Sequence, residues 1–325
     1  MLFIAMSALL GIPQAGDSSA TAELLRALET SPPVVCELAA DRAGGNWGWH
    51  SAGESVNGLH DRDPRAARLL TAWEDAPLDG GDIALLGAAL GSPNACVRRV
   101  AALWLGRAGR DEALERLRAA LRSSEPAVRE AALLGLGHAE DAESAPAMVV
   151  ALKAPDPFVA RMAAWALGSL EDRRYREALT GAAGHADAGV RRSAVWALGN
   201  LEDRAALPAV VARLEDRDGD VRREAIESVA RLEDKRGASA VARFLTDPEP
   251  ETRVAALEAL GQLERHDAFD AVVARLKDRS SRVRRAAIEA LGKLQDGRAA
   301  GPIAALIEDS DREVKLAAIE ALGSL

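Results

Sequence analysis

Apolar positions along this chain fall three and four residues apart, the spacing of one helix face, and the pattern itself recurs. Its cleanest statement is Val283 to Leu294, VRRAAIEALGKL; related segments open at Val97, Val128, Val159, Val190, Val221, Thr252 and Val314, always 31 residues apart. A fixed period of this size predicts a repeat architecture. With the first residue as offset 0, offset 4 is alanine in all eight copies, Ala101 to Ala318, and offset 8 is leucine or valine. Offset 11 is leucine in the last six copies and alanine, Ala108 and Ala139, in the first two. Offsets 0, 4, 8 and 11 share one side of a helix with about 3.6 residues per turn, which makes them the expected core. A side chain that never exceeds a methyl group at offset 4 predicts a close helix contact that anything larger would overpack. Asp156, Asp187, Asp218 and Asp311, with Asn94 and Glu125 in the first two copies, stand three residues before the segment and are expected to cap it. Glycine at offset 9, as in Gly106, Gly137, Gly199 and Gly292, is expected to loosen the helix near its end.

A second helix fills the rest of each unit, for example Ala206 to Leu214, Ala268 to Leu276 and Pro302 to Ile307. Pro146, Pro208 and Pro302 suit its first turn, where no amide hydrogen bond is lost. The loop before it carries Asp141, Asp172, Asp203, Asp234 and Asp296 at offset 13, read as loop caps repeated by duplication. The repeats show no strand-type alternation. One helix pair cannot bury its own apolar face, so neighbouring pairs are expected to stack. The fold class is therefore all-α: an α-solenoid of two-helix repeats with a 31-residue period, wound as a right-handed superhelix. The pattern D-x-x-V-R-x-x-A-x-x-A-L-G-x-L with its acidic loop resembles the HEAT-like repeats of the phycobilisome lyase type, over roughly Asn94 to Leu325. That resemblance implies a helical scaffold rather than one chemistry. It also carries an enzymatic alternative, a lyase or isomerase that attaches a bilin to a phycobiliprotein cysteine, although no residue here singles out bilin chemistry.

Ahead of the regular repeats the chain reads in three parts. Residues 1–16 open with the apolar MLFIAMSALL, which suits a signal peptide, the remnant of a longer membrane segment, or a helix packed on the first repeat. No Lys or Arg precedes Arg26, so an exported (periplasmic) and a cytoplasmic location both stay open. A regulatory module of a membrane-associated system is a further alternative. Residues 17–62 read as a cap and loop region: a helix at Thr21 to Thr30, a strand or helix at Val34 to Ala40, then a loop holding Trp47, Trp49, His50 and His60. Terminal repeats need covering, so the tryptophans are expected to shield the end of the core. The solenoid region spans 63–325, with a degenerate repeat at Asp63 to Trp73 and a helix at Asp82 to Leu90 before regularity sets in at residue 94.

Charge narrows the function. The 325 residues carry a formal net charge of −9, which disfavours a general nucleic-acid binder. Two cysteines, Cys36 and Cys96, exclude a dense disulfide framework; two small buried thiols are preferred to a single bridge. There is no H-E-x-x-H, C-x-x-C, G-x-S-x-G or phosphate-binding glycine loop, so no catalytic, cofactor or metal residues are assigned and the chain is read as a non-enzyme. His50, His60, His138, His185 and His266 are too scattered to build a zinc site. Arginines recur at offsets 1 and 2, from Arg98 to Arg285; pairing with acidic neighbours is preferred to a phosphate groove, with Arg223–Glu227 and Arg285–Glu289 four apart on one helix.

Offset 6 separates the copies. It reads Leu103, Leu134, Trp165 and Trp196, then Glu227, Glu258, Glu289 and Glu320. At about 100° per residue this position points away from the core side. The eight residues are expected to form a groove-lining stripe on a concave surface, apolar in one half and acidic in the other, with the two tryptophans side by side. Large apolar patches of this kind are binding surfaces. The sequence thus predicts a monomeric scaffold without a cofactor, binding a protein or peptide, with no nucleic acid and no membrane span in the repeats.

Overall fold

A computed structural model describes residues 18–30, 36, 39–40 and 78–325. Residues 1–16, the loop with Trp47, Trp49, His50 and His60, and the degenerate repeat at Asp63 to Trp73 lie outside the described residues. The chain divides into two compact units, Met1–Leu170 and Glu171–Leu325.

In the first unit, α1 (Ser18–Thr30) packs on α2 (Gly80–Ala89) and α3 (Ala95–Ala108). Leu24 and Leu28 of α1 are fully buried, and Thr21 donates from its hydroxyl to the buried carboxylate of Asp82. Then follow α4 (Asp111–Ala120), α5 (Pro126–His138), α6 (Ala145–Ala151) and α7 (Pro157–Ser169). Here α3, α5 and α7 carry the repeated segment and pack in sequence, while α4 and α6 are the second helices. Cys36 and Cys96 form a disulfide, with Cα atoms 5.5 Å apart, where two separate thiols were expected. The pairing across 60 residues fixes the N-terminal region to α3, and nothing in the repeat pattern marks it in advance.

In the second unit the repeated segments form α9 (Ala188–Asn200), α11 (Gly219–Arg231), α13 (Pro250–Gln262), α15 (Ser281–Leu294) and α17 (Arg312–Ser324), each packed on the next. The second helices are short: α8 (Arg176–Ala182), α10 (Leu207–Val211), α12 (Ala238–Ala242), α14 (Phe269–Arg275) and α16 (Ala300–Ala304). One-turn 3-10 segments precede them, each begun by an offset-13 aspartate where one is present. Asp172, Asp203, Asp234 and Asp296 accept from the backbone N–H two residues on, the expected loop cap. No strand occurs among the described residues.

The alanine at offset 4 is fully buried in all eight copies, and offset 5, which the sequence pattern does not single out, is as buried from Ala102 to Ile288. Ile319 holds offset 5 on α17, and there it is 55% exposed. The caps formed by Asn94, Asp156, Asp187, Asp218 and Asp311 are present; Glu125 makes no side-chain cap.

The glycine at offset 9 does not loosen the helix. At Gly106, Gly137, Gly199 and Gly261 it lets successive segments approach through offset 7 of the next copy, whereas Gly292 meets nothing within 4 Å. A Cβ at Gly106 would collide with the Gly135 carbonyl oxygen; at Gly199 it would lie 2.7 Å from Ser228 Oγ; at Gly261, 3.0 Å from Ala290 Cα. The segments end instead at offset 12, in left-handed backbone: Gly109 in the first copy, then Glu140, Glu171, Glu202, Glu233, Glu264 and Gln295, with φ of 47° to 52° for the last six. This turn sends the chain back into the second helix.

Candidate functional site

Most of the repeated arginines are structural. In the second unit Arg191, Arg253 and Arg284, all at offset 1, donate through Nη1 to carbonyls of the loop before their own helix. Through Nε and Nη2 they grip an aspartate in the loop before the next segment: Asp216 at 2.8 and 2.7 Å, Asp278 at 2.9 and 2.8 Å, Asp309 at 2.8 and 2.7 Å. Two parallel charge-assisted bonds give each pair its geometry. The Arg191–Asp216 side chains are only 5% and 4% exposed. Burial is the largest single influence and pushes the Asp216 and Asp278 carboxyls up, but the arginine hydrogen bonds, the Asp218 and Ser280 N–H bonds and the nearby arginine charges together hold both below the usual carboxylate range. Asp309 is lowered mainly by its bond from Arg284. The acidic partners expected for the arginines are thus largely the inter-repeat loops. Arg223 pairs with Asp220 and Glu249 instead of the expected Glu227, while Arg285–Glu289 forms at 3.3 Å.

The offset-6 residues do not share one environment. In the first unit Leu103 and Trp165 are buried, at 2% and 6% exposure, and Leu134 is half-buried. The expected exposed apolar row therefore fails at Leu103 and Trp165. The Trp165 ring lies so close over Gly137 that a Cβ there would be 2.5 Å from Cζ3. A glycine one copy earlier makes room for the ring, so the tryptophan folds inward. Trp165 and Trp196 belong to different units. Trp196, in the second unit, is half-buried.

The acidic part of the row is outward-facing. Glu227, Glu258, Glu289 and Glu320 are exposed on α11, α13, α15 and α17, which pack in that order. Partial loss of hydration at its half-covered side chain, then repulsion from Glu224 and Glu258, raises Glu227 above the usual range. Glu258 is raised by burial and then by Glu289. Arg231 reaches Glu227 at 3.9 Å without cancelling this effect. Carboxylates that raise one another in this way gain from an incoming cation.

No three His, Cys, Asp or Glu side chains among the described residues converge into a metal-binding group, and no helix among them is long and apolar enough to cross a membrane. His138 is half-buried; burial, then the Arg107 charge, lowers its imidazole below the usual value. Sequence reasoning missed the clamp because its two ends lie 25 residues apart in neighbouring repeats. The signal was available in the matched recurrence of arginine at offset 1 and aspartate five residues before the next segment.

Among curated protein sequences none matches the chain. Its fold is similar to that of YibA from Escherichia coli, with 21% identity, a TM-score of 0.58, and 74% of this chain and 92% of that one covered. The complex of CpcE and CpcF of phycocyanin lyase from Nostoc sp. PCC7120 also aligns, at 21% identity over 75% of this chain and 94% of that one, with a TM-score of 0.45. Human deoxyhypusine hydroxylase in complex with glycerol aligns at 21% identity over 75% and 95%, with a TM-score of 0.35. The first of these likenesses shows the fold alone, and the other two are too loose to carry an argument. HEAT repeats match residues 83–161, 146–230, 207–284 and 238–323. With the helix pairs, the period and the stacked segments agreeing over this span, the chain belongs to the HEAT-repeat family.

Proposed function

We propose that the protein is a non-enzymatic scaffold that holds a basic segment of a protein partner along the outward row of its repeated helices. The observation that carries this reading is the run Glu227, Glu258, Glu289 and Glu320, one per packed helix, with Glu227 and Glu258 raised by burial and by their acidic neighbours. Half-buried Trp196 stands at the same offset on α9 and offers an apolar contact at the start of the row. A partner that suits it is apolar at one end and basic along the rest. Tryptophan favours such anchoring because it combines large contact area with few rotamers to freeze.

A fluorescein-labelled peptide with two leucines followed by four spaced lysines tests the reading by anisotropy. Glu258→Lys with Glu289→Lys should weaken binding at least tenfold at low salt, and the difference should shrink as salt rises. Binding should also weaken as pH falls through a range above that of an ordinary glutamate, because the raised carboxyls protonate there first. Equal binding by parent and double variant would sink the proposal. The enzymatic alternative makes a different demand: pigment-dependent absorbance when the chain is co-expressed with a bilin and a phycobiliprotein.

A further inference from the structure

Arg129 departs from the clamp of its counterparts. It keeps one half: Nη1 donates to the Ser123 and Ser124 carbonyls, each at 2.9 Å, as Arg191 does to its own loop. The residue in the register of Asp216, Asp278 and Asp309 is Ala154, which has no carboxylate to offer Nε and Nη2. Arg98 has Ser123 in that register, whose hydroxyl oxygen accepts from the Glu125 N–H.

At Arg129 the surface opens into a groove of about 720 Å³, bounded by the end of α4, by α6 and by the loop that contains Ala154. Its lining is largely apolar, with Leu121, Val149 and Val159 in the wall. Val150, also in the lining, is 73% exposed. The other copies hold Ala119, Gly181, Ala212, Arg243, Ala274 and Ala305 in its register, so a large apolar side chain on this surface is particular to this repeat. Arg122, Arg129 and Lys153 supply the basic edge, and no ion pair engages them among the described residues. Arg118 is neutralised by Asp141 and Glu143. In a chain of net charge −9, this is a local positive surface beside apolar side chains.

We propose that this groove docks an acidic peptide segment of a partner protein. One aspartate or glutamate of the segment takes the two-pronged place on Arg129 that Asp216 takes on Arg191, and aliphatic side chains beside it lie against Val150. The chain supplies the template three times, each with a side-chain carboxylate meeting Nε and Nη2 of an arginine whose Nη1 is already anchored. That anchoring pre-orients the guanidinium, so little freedom is lost when the carboxylate arrives. Lys153 and Arg122 add attraction for acidic neighbours. The site stands independently of the glutamate row and takes a ligand of opposite charge.

The decisive variant is Ala154→Asp, which gives Arg129 a carboxylate from the chain itself and removes no packing. The same loop position accepts aspartate before proline at Asp247–Pro248, where Asp247 receives the Glu249 N–H at 2.9 Å while Arg222 keeps only its Nη1 bonds to the Asp216 and Arg217 carbonyls. The loop thus tolerates the residue, and its presence beside Arg129 suffices to compete for the guanidinium. A displayed library of random nonapeptides, selected on the full chain and counter-selected on Ala154→Asp, should enrich sequences with an acidic residue beside Leu, Ile, Val or Phe. A labelled copy of the most enriched peptide should lose at least tenfold in affinity when its acidic residue becomes the amide. It should lose as much on Ala154→Asp, which should melt no lower than the parent, and should bind Glu258→Lys undiminished. Enrichment without an acidic residue would overturn the proposal. So would equal affinity for Ala154→Asp, or loss of binding to Glu258→Lys.

Discussion

The two units differ in what their repeated helices place at offsets 1 and 6. In Met1–Leu170 the offset-6 side chains turn inward: Leu103 is buried, and Trp165 closes over Gly137. The loop register that could carry an aspartate holds Ser92, Ser123 and Ala154, so Arg98 and Arg129 reach only backbone carbonyls. In Glu171–Leu325 offset 6 is given over to exposed glutamates from α11 onward, and the same loop register holds Asp216, Asp247, Asp278 and Asp309, of which Asp216, Asp278 and Asp309 are clamped by an arginine. One helical phrase thus supports inward apolar packing at offset 6 in one unit and arginine–aspartate clamps from offset 1 in the other. The backbone period decides where a residue stands, and the size and charge of its neighbours one repeat away decide what it does there.

Removing one member from each device gives the largest effects. Trp165→Ala should cost about 3–5 kcal/mol, because the ring fills a space that the backbone around Gly137 cannot close. Glu258→Ala, at the same offset in the second unit, should leave stability within about 0.5 kcal/mol of the parent. Denaturant titration of both variants checks this pair, and a neutral Trp165→Ala would return that residue to the surface. In the second unit Arg191→Met should cost about 2–4 kcal/mol by taking the two-pronged partner from the buried Asp216 carboxylate, which keeps only Arg213 at 3.8 Å and the Asp218 N–H. Arg191→Met with Asp216→Asn should recover most of the loss, since the amide oxygen still accepts from the Asp218 N–H.

The ionic device also has a pH signature. The folded-state values of Asp216, Asp278 and Asp309 lie below those of unfolded aspartate, near 3.9. Their stabilisation is therefore present above about pH 4 and lost as pH falls through the lower folded values. The penalty of Arg191→Met, followed by denaturant titration from pH 7 to pH 3, should shrink toward the acid end. A penalty independent of pH would mean that Arg191 acts through packing alone.

The period, the buried alanine at offset 4 and the aspartate caps were legible in the sequence because each rests on one residue's own preference. What escaped it depends on two residues in different repeats or on a strained backbone. Trp165 turns inward because of Gly137, which a reading of offset 6 alone does not see. The clamp needs Arg191 and Asp216 considered together. The left-handed turn at Glu140, Glu171, Glu202, Glu233 and Glu264 is hidden because the chain uses glutamate where glycine is the usual signal. Gly109, in the same register one copy earlier, was the clue. The reading of offset-9 glycine as a loose helix end failed for a related reason. Glycine has two uses, freedom and closeness, and only the neighbouring helix shows which one applies.

The smallest predicted effects test that distinction, again across the two units. Gly106 and Gly292 share offset 9, and a single added methyl group should act on them with opposite sign. At Gly106 the new Cβ would collide with the backbone carbonyl of Gly135, which no rotamer change can relieve, and contact Gly135 Cα at 3.2 Å. Gly106→Ala should then force α3 and α5 apart and cost about 1–3 kcal/mol. At Gly292 the new Cβ has nothing within 4 Å. Gly292→Ala should gain stability by about 0.5–1 kcal/mol, because alanine loses less backbone freedom than glycine in a helix. Paired denaturation curves decide between the two uses of the position. If both substitutions stabilise, the approach at Gly106 is looser than its geometry states; if both destabilise, α15 needs glycine for its conformation and the close-contact account of offset 9 is wrong.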